Sequence, residues 1–89
     1  MGVEAGGAGR PARVLIVDDH PVFRAGLVQV LDGEPGLAVC GQAGSAEEAL
    51  GMLDAQAPDL LVIDISLGGA SGLELVKQVR QRRPGLPML

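Results

Sequence analysis

Two short aliphatic runs, Val14 to Val17 and Leu60 to Ile63, each stop on a carboxylate, at Asp18 and at Asp64. Four consecutive aliphatic residues read as a strand covered on both faces, the pattern of a parallel sheet rather than of an amphipathic one. A buried segment that finishes on charge needs something to neutralise it. In "RVLIVDDH", residues 13 to 20, the problem is doubled, because Asp19 follows Asp18 directly.

Helical periods lie between these runs. Pro21 suits a first helical position, and Phe23, Leu27, Val30 and Leu31 recur at i, i+4, i+7 and i+8, which predicts a helix over 21–31. "GEPG" at 33–36 breaks the chain, and Leu37 to Ala43 reads as a second strand. Ser45 with Glu48 forms a capping-box pattern ahead of a stripe of Ala46, Ala49, Leu50 and Leu53. "APD" ends that helix. After Asp64 a loop carries Gly68 and Gly69, a second capping box pairs Ser71 with Glu74, and Leu75, Val76 and Val79 make the third stripe.

"RPGLP" at 83–87 then stops the third helix, and Met88 and Leu89 read as the opening of a fourth strand. The order βαβαβα plus a further strand start implies right-handed crossovers and a parallel sheet with helices on both faces. Residues 1–12, rich in Gly and Ala, read as a flexible tail, and 13–89 as a single domain. A chain of 89 residues supports only a thin core, here aliphatic, since Phe23 is its one aromatic residue.

Charge and cysteine content narrow the function classes. The net charge is −4, with no basic cluster interleaved with aromatics, so direct nucleic-acid binding by this segment is not expected. Arg80, Arg82 and Arg83 read as the solvated last turn of a helix, complementing its dipole. The single cysteine, Cys40, rules out an internal disulfide and reads as a small buried hydrophobe. No apolar run approaches the ~20 residues that span a bilayer, so no membrane role is expected.

In an open parallel sheet, ligands bind beyond the carboxyl ends of the strands. Asp18, Asp19 and Asp64 all stand at such ends. A hard divalent cation with oxygen ligands would relieve their repulsion, and Mg²⁺, held by one or two carboxylates with waters and a phosphate, fits that count. A carboxylate beside Mg²⁺ can act as a nucleophile toward a phosphoryl group. Asp64, alone at its strand end, is the nucleophile candidate; Asp18 and Asp19 are left for the metal. Against this stands the ordinary role of a lone Asp as a turn former or helix cap.

"VLIVDDHPVFRAGL" (14–27), "GQAGSAEEAL" (41–50) and "PDLLVIDISLGGASGLELVKQVR" (58–80) resemble the receiver domain of two-component response regulators. The resemblance is nearest to the subgroup whose receiver precedes a LuxR-type helix-turn-helix output domain. It implies a flavodoxin-like (CheY-like) doubly wound fold, here partial. It also implies Asp64 as phospho-acceptor, Asp19 as a direct Mg²⁺ ligand, Asp18 acting on the metal through water, and the backbone carbonyl of Ser66 as a further ligand. His20 is expected to be structural or solvated. A sensor histidine kinase would supply the phosphoryl group, and DNA would be reached only through an output domain absent from this chain. A cytoplasmic location, no enzymatic role of its own, and a homodimer in the full-length protein are compatible with that reading.

Two departures from the family pattern stand out. Gly68 replaces a common Pro, which costs the loop rigidity. The Ser or Thr ending strand four and the Lys ending strand five have no counterpart in these 89 residues, and Lys77 falls on the third helix and cannot replace the latter. The expected consequence is that strand one and helix one keep uncovered apolar faces. Two alternatives remain. One is a Mg²⁺-dependent phosphatase with an Asp nucleophile, disfavoured because Ser66 stands where such enzymes want a second acid. The other is a receiver-like interaction module that is never phosphorylated.

Overall fold

A computed structural model of the chain describes residues 10–64 and 70–89, the side chains of Ala70 and Ser71 aside. Ser66 and Gly68 lie outside the described residues. The elements run β1 (Ala12–Val17), α1 (Pro21–Asp32), β2 (Leu37–Ala43), α2 (Ala46–Gln56), β3 (Leu60–Ile63) and α3 (Ala70–Arg82). All three strands are parallel, in the order β2-β1-β3. This is the order of the first three strands of a flavodoxin-like sheet, with the strand sequence reversing at β1.

The aliphatic runs form strands because both of their faces are covered. Val14, Leu15, Ile16 and Val17 are fully buried in the central strand. Leu15 and Val17 join Leu61 and Ile63 of β3, Ala49 and Leu53 of α2, and Leu75 and Val79 of α3 in one hydrophobic cluster. Val14 and Ile16 alternate with them and so face the opposite side of the sheet. The expectation that strand one would keep an uncovered apolar face is therefore corrected. β1 begins at Ala12, one residue inside the stretch read as tail, and its amide donates to the Gly36 carbonyl at 2.8 Å.

The fourth strand does begin where "ML" predicts. Met88 pairs in parallel with Leu61, the Leu61 amide donates to the Pro87 carbonyl, and the Leu89 amide donates to the Leu61 carbonyl. β3 thus has a neighbour on each side.

Helix α1 departs from its expected stripe. Arg24, Leu27, Val28 and Leu31 are its half-buried residues, whereas Phe23 and Val30 are 62% and 63% exposed and no residue of the helix is fully buried. The period is as predicted, but the inward stripe is rotated by about one residue. α1 packs against β1 and β2, and among the described residues no element covers its outer flank.

α2 is capped as its sequence predicts: the Ser45 hydroxyl accepts from the Glu48 amide at 3.1 Å. The return bond differs, with the Glu48 carboxylate accepting from the Gly44 amide rather than from that of Ser45. The helix ends on Ala57 in the left-handed conformation (φ 45°). α3 starts at Ala70, which puts Ser71 inside its first turn instead of ahead of it.

Arg83 is not a solvated end charge. It donates to the Leu53 carbonyl at 3.2 Å and lies 3.3 Å from the Asp54 carboxylate, tying the end of α3 to α2. Arg80 and Arg82 are exposed as expected. A similar tie escaped the sequence reading: Arg13 donates to the Gln56 carbonyl at 2.7 Å, and its amide donates to the Asp59 carboxylate. Cys40 is half-buried and packs against the core cluster, at the point where the β1–β2 register slips by one residue. Burial pushes its thiol pKa up, as suits a structural cysteine.

Candidate functional site

The register of the sheet builds the site. β1 and β3 pair Val17 with Ile63, so the next residue on each strand is an aspartate, Asp18 beside Asp64. The Asp64 amide donates to the Val17 carbonyl at 2.9 Å and the Asp18 amide to the Ala43 carbonyl at 3.0 Å, which holds both carboxylates at the carboxyl edge of the sheet. Parallel neighbours stand about 4.8 Å apart, so residues 46 positions apart in sequence converge without any help from a loop.

Asp18 is 1% exposed. Its Oδ1 accepts from the His20 amide at 2.7 Å, a local turn that leads the chain into α1, where Pro21 takes the first position. Its Oδ2 is buried with no hydrogen-bond partner. A buried carboxylate oxygen left without a partner is costly, and a cation is one group that would satisfy it. Asp19 is more open, with its side chain 40% exposed, and Asp64 is intermediate.

His20 is where the structure adds most. Its Nδ1 lies 3.1 Å from Asp18 Oδ1, 3.0 Å from Asp19 Oδ1 and 3.5 Å from Asp64 Oδ2. The ring is 62% exposed and hydrogen-bonded to Asp18, as a solvated or structural histidine would be, and it also stands as the fourth member of the cluster. One potential ligand atom from each of Asp18, Asp19, His20 and Asp64 lies within 4.8 Å of all the others. The hydrogen bond to Asp18, reinforced by the charge of Asp19, raises the His20 pKa above its ordinary 6.5.

Arg24 is a supporting residue that the sequence reading did not single out. Its Nη1 donates to the Asp18 carbonyl at 2.8 Å and its Nε to Gln42 Oε1 at 3.2 Å, bracing the Asp18–His20 turn from α1 and β2. The available signal was its spacing: Arg24 falls one turn before Leu27 and Val28 on the half-buried stripe. A Cβ on Gly44 would stand 2.8 Å from Arg24 Nη1, so this close approach uses the missing side chain at position 44.

The donor set fits a hard divalent cation: three carboxylates, one of them buried with an orphaned oxygen, at the edge where open α/β sheets bind ligands. A second concavity, an open groove of about 550 Å³ along β2 lined by Arg24, Asp32, Cys40, Gln42 and Glu48 among others, gathers no comparable group of ligands.

Comparison with known proteins agrees with this fold. Residues 14–89 match the response regulator receiver domain family. The chain is 43% identical over 77 residues to the DNA-binding transcriptional activator DevR/DosR of Mycobacterium tuberculosis, covering 86% of this chain and 36% of that protein. It is 39% identical over 74 residues to a protein-glutamate methylesterase/protein-glutamine glutaminase of Rhizobium etli, covering 83% of this chain and 21% of that one. Among solved structures, a LuxR-family two-component response regulator from Aurantimonas sp. SI85-9A1 superposes with a TM-score of 0.82 at 34% identity, covering 89% of this chain and 56% of the other.

The relatives are mostly transcription regulators, with some methylesterases among them, and the chain spans about a third of the length of the regulators it matches. Among the described residues, no helix is long and apolar enough to cross a membrane. The flavodoxin-like order of the sheet, the paired aspartates at its carboxyl edge and the match over residues 14–89 lead to one conclusion: the chain belongs to the receiver domain family of two-component response regulators.

Proposed function

We propose that this chain accepts a phosphoryl group on Asp64, with Mg²⁺ held by Asp18, Asp19, Asp64 and the Ser66 carbonyl, and so switches a regulator of transcription. The observation that carries the reading is the buried, unpartnered Oδ2 of Asp18 beside two further carboxylates, a donor set that fits a hard cation. Bound Mg²⁺ would neutralise charge on the transferring oxygens. Asp64 supplies the nucleophile: a carboxylate oxygen forms a bond to phosphorus, the bond to the donor's leaving group breaks, and an acyl phosphate results. Asp18 and Asp19 would hold the cation close to the Asp64 carboxylate, since ligand atoms of all three lie within 4.8 Å of one another. The Arg24 contact to the Asp18 backbone keeps that arrangement in register with β1.

Within this reading, a sensor histidine kinase supplies the phosphoryl group. DNA is contacted only through an output domain, as the transcriptional-activator relatives suggest, the whole protein works in the cytoplasm, and a homodimer of the full-length protein is compatible with this reading. The chain itself turns over no metabolite.

The test is incubation of the complete reading frame that carries this chain with acetyl phosphate and Mg²⁺, read by intact mass. One phosphoryl adduct that is absent without Mg²⁺ and absent in Asp64→Asn supports the proposal. An unmodified protein under all conditions contradicts it, and steady release of phosphate from a phosphorylated metabolite would favour a phosphatase instead.

A further inference from the structure

We infer that His20 is a nitrogen ligand in the acidic site, and that it gives the site a preference for borderline transition ions of the Zn²⁺ and Co²⁺ kind over Mg²⁺. The inference rests on the metal-binding reading above and extends it to a residue outside the carboxylate set.

Nδ1 of His20 faces all three carboxylates, at 3.1, 3.0 and 3.5 Å. Zn–N and Zn–O bonds are about 2.0–2.2 Å long, so donors in a tetrahedral shell stand about 3.3 Å apart. The three distances around Nδ1 bracket that edge length. The four potential ligand atoms lie within 4.8 Å of one another, close enough for one ion to draw them into a shell, and the buried, unpartnered Oδ2 belongs to the same Asp18 carboxylate. The ring is 62% exposed and anchored by the Asp18–His20 turn, so it can meet an ion without repacking the core.

Donor chemistry then sets the preference. Mg²⁺ takes oxygen ligands and keeps several of its waters, whereas imidazole suits Zn²⁺, Co²⁺ and Ni²⁺, whose affinities also rise above that of Mn²⁺ along the first transition row. Adding a nitrogen to an all-oxygen site therefore strengthens the transition ions selectively. An ion held by His20 and Asp64 together would also occupy the carboxylate needed for phosphoryl transfer.

The experiment uses the 89-residue chain with Zn²⁺, Co²⁺ and Mg²⁺ alone, comparing wild type, His20→Gln and Asp18→Asn. Zn²⁺ affinity is measured by chelator competition, Mg²⁺ affinity by NMR titration, and nitrogen ligation by the visible d–d bands of bound Co²⁺. Amide spectra establish that each variant is folded. The expected result is a Zn²⁺-to-Mg²⁺ affinity ratio lowered by roughly 10- to 100-fold in His20→Gln, the scale on which supporting groups tune metal sites. The Co²⁺ bands should shift in His20→Gln, and Zn²⁺ affinity should fall in Asp18→Asn as well.

An unchanged ratio in His20→Gln overturns the inference. So does a Zn²⁺ affinity that depends on His20 but not on Asp18, which would mark a lone surface imidazole. Failure here alongside Mg²⁺-dependent phosphorylation of Asp64 sinks only the role of His20. His20-dependent Co²⁺ ligation without phosphorylation sinks only the phospho-acceptor reading.

Discussion

At the smallest scale His20 and Asp18 form a contacting pair inside the acidic cluster, and that pair makes a measurable prediction. His20 should titrate above its ordinary pKa of 6.5 in metal-free protein, because the Asp18 hydrogen bond and the Asp19 charge favour the imidazolium. NMR of the ring carbons checks this: Asp18→Asn should move the midpoint back down, and a wild-type value at or below 6.5 would contradict the geometry. With the folded pKa raised, the imidazolium's contribution to stability is fully present below the unfolded value and is lost as pH rises through the folded one.

These roles were only partly legible from sequence. Each acid could be placed at a strand end because the aliphatic runs stop on it. The place of His20 in the cluster depends on the turn made when Asp18 accepts from the His20 amide, and no periodicity encodes that.

At the scale of elements, boundaries and caps follow local chemistry, while the orientation of α1 does not. Its spacing allows two neighbouring stripes, one through Phe23 and Val30 and one through Arg24 and Val28, and the sheet beneath selects the second. Arg13 and Arg83 were equally unreadable as ties, since their acceptors are backbone carbonyls at Gln56 and Leu53, which every residue possesses.

Two substitutions test this level. Ala57→Gly should stabilise the protein by about 0.5–1 kcal/mol in urea unfolding, because Ala pays a steric penalty in the left-handed conformation that ends α2. A loss of stability would show that the helix ends otherwise. Gly44→Ala should displace the Arg24 guanidinium from the Asp18 carbonyl, seen as a shifted Asp19 amide resonance, the amide of the same peptide unit, and an unchanged Asp19 amide would contradict the close approach.

For the molecule as a whole, the core is one-sided in strength. The cluster joining β1 and β3 to α2 and α3 contains Leu53, Leu75 and Val79, all fully buried, while α1 offers no fully buried residue to the other face. Leu53→Ala should therefore cost about 2–5 kcal/mol, enough to unfold a small domain of ordinary stability. Phe23→Ser, on the exposed flank of α1, should change stability by less than about 0.5 kcal/mol. Comparable losses from both would refute the packing described. The parallel order and the strand starts were legible because periods of 2 and 3.6 alternate cleanly along the chain. Which helix face is covered was not, because that depends on what lies across the sheet.

The central claim, that the carboxyl edge of this sheet is a phospho-acceptor site, is most directly tested by locating the modified carboxylate. After treatment with acetyl phosphate and Mg²⁺, borohydride reduction converts an acyl-phosphorylated aspartate to homoserine, which tandem mass spectrometry can place. The account predicts homoserine at position 64 alone. Homoserine at position 18 or 19, or none at all, would contradict it.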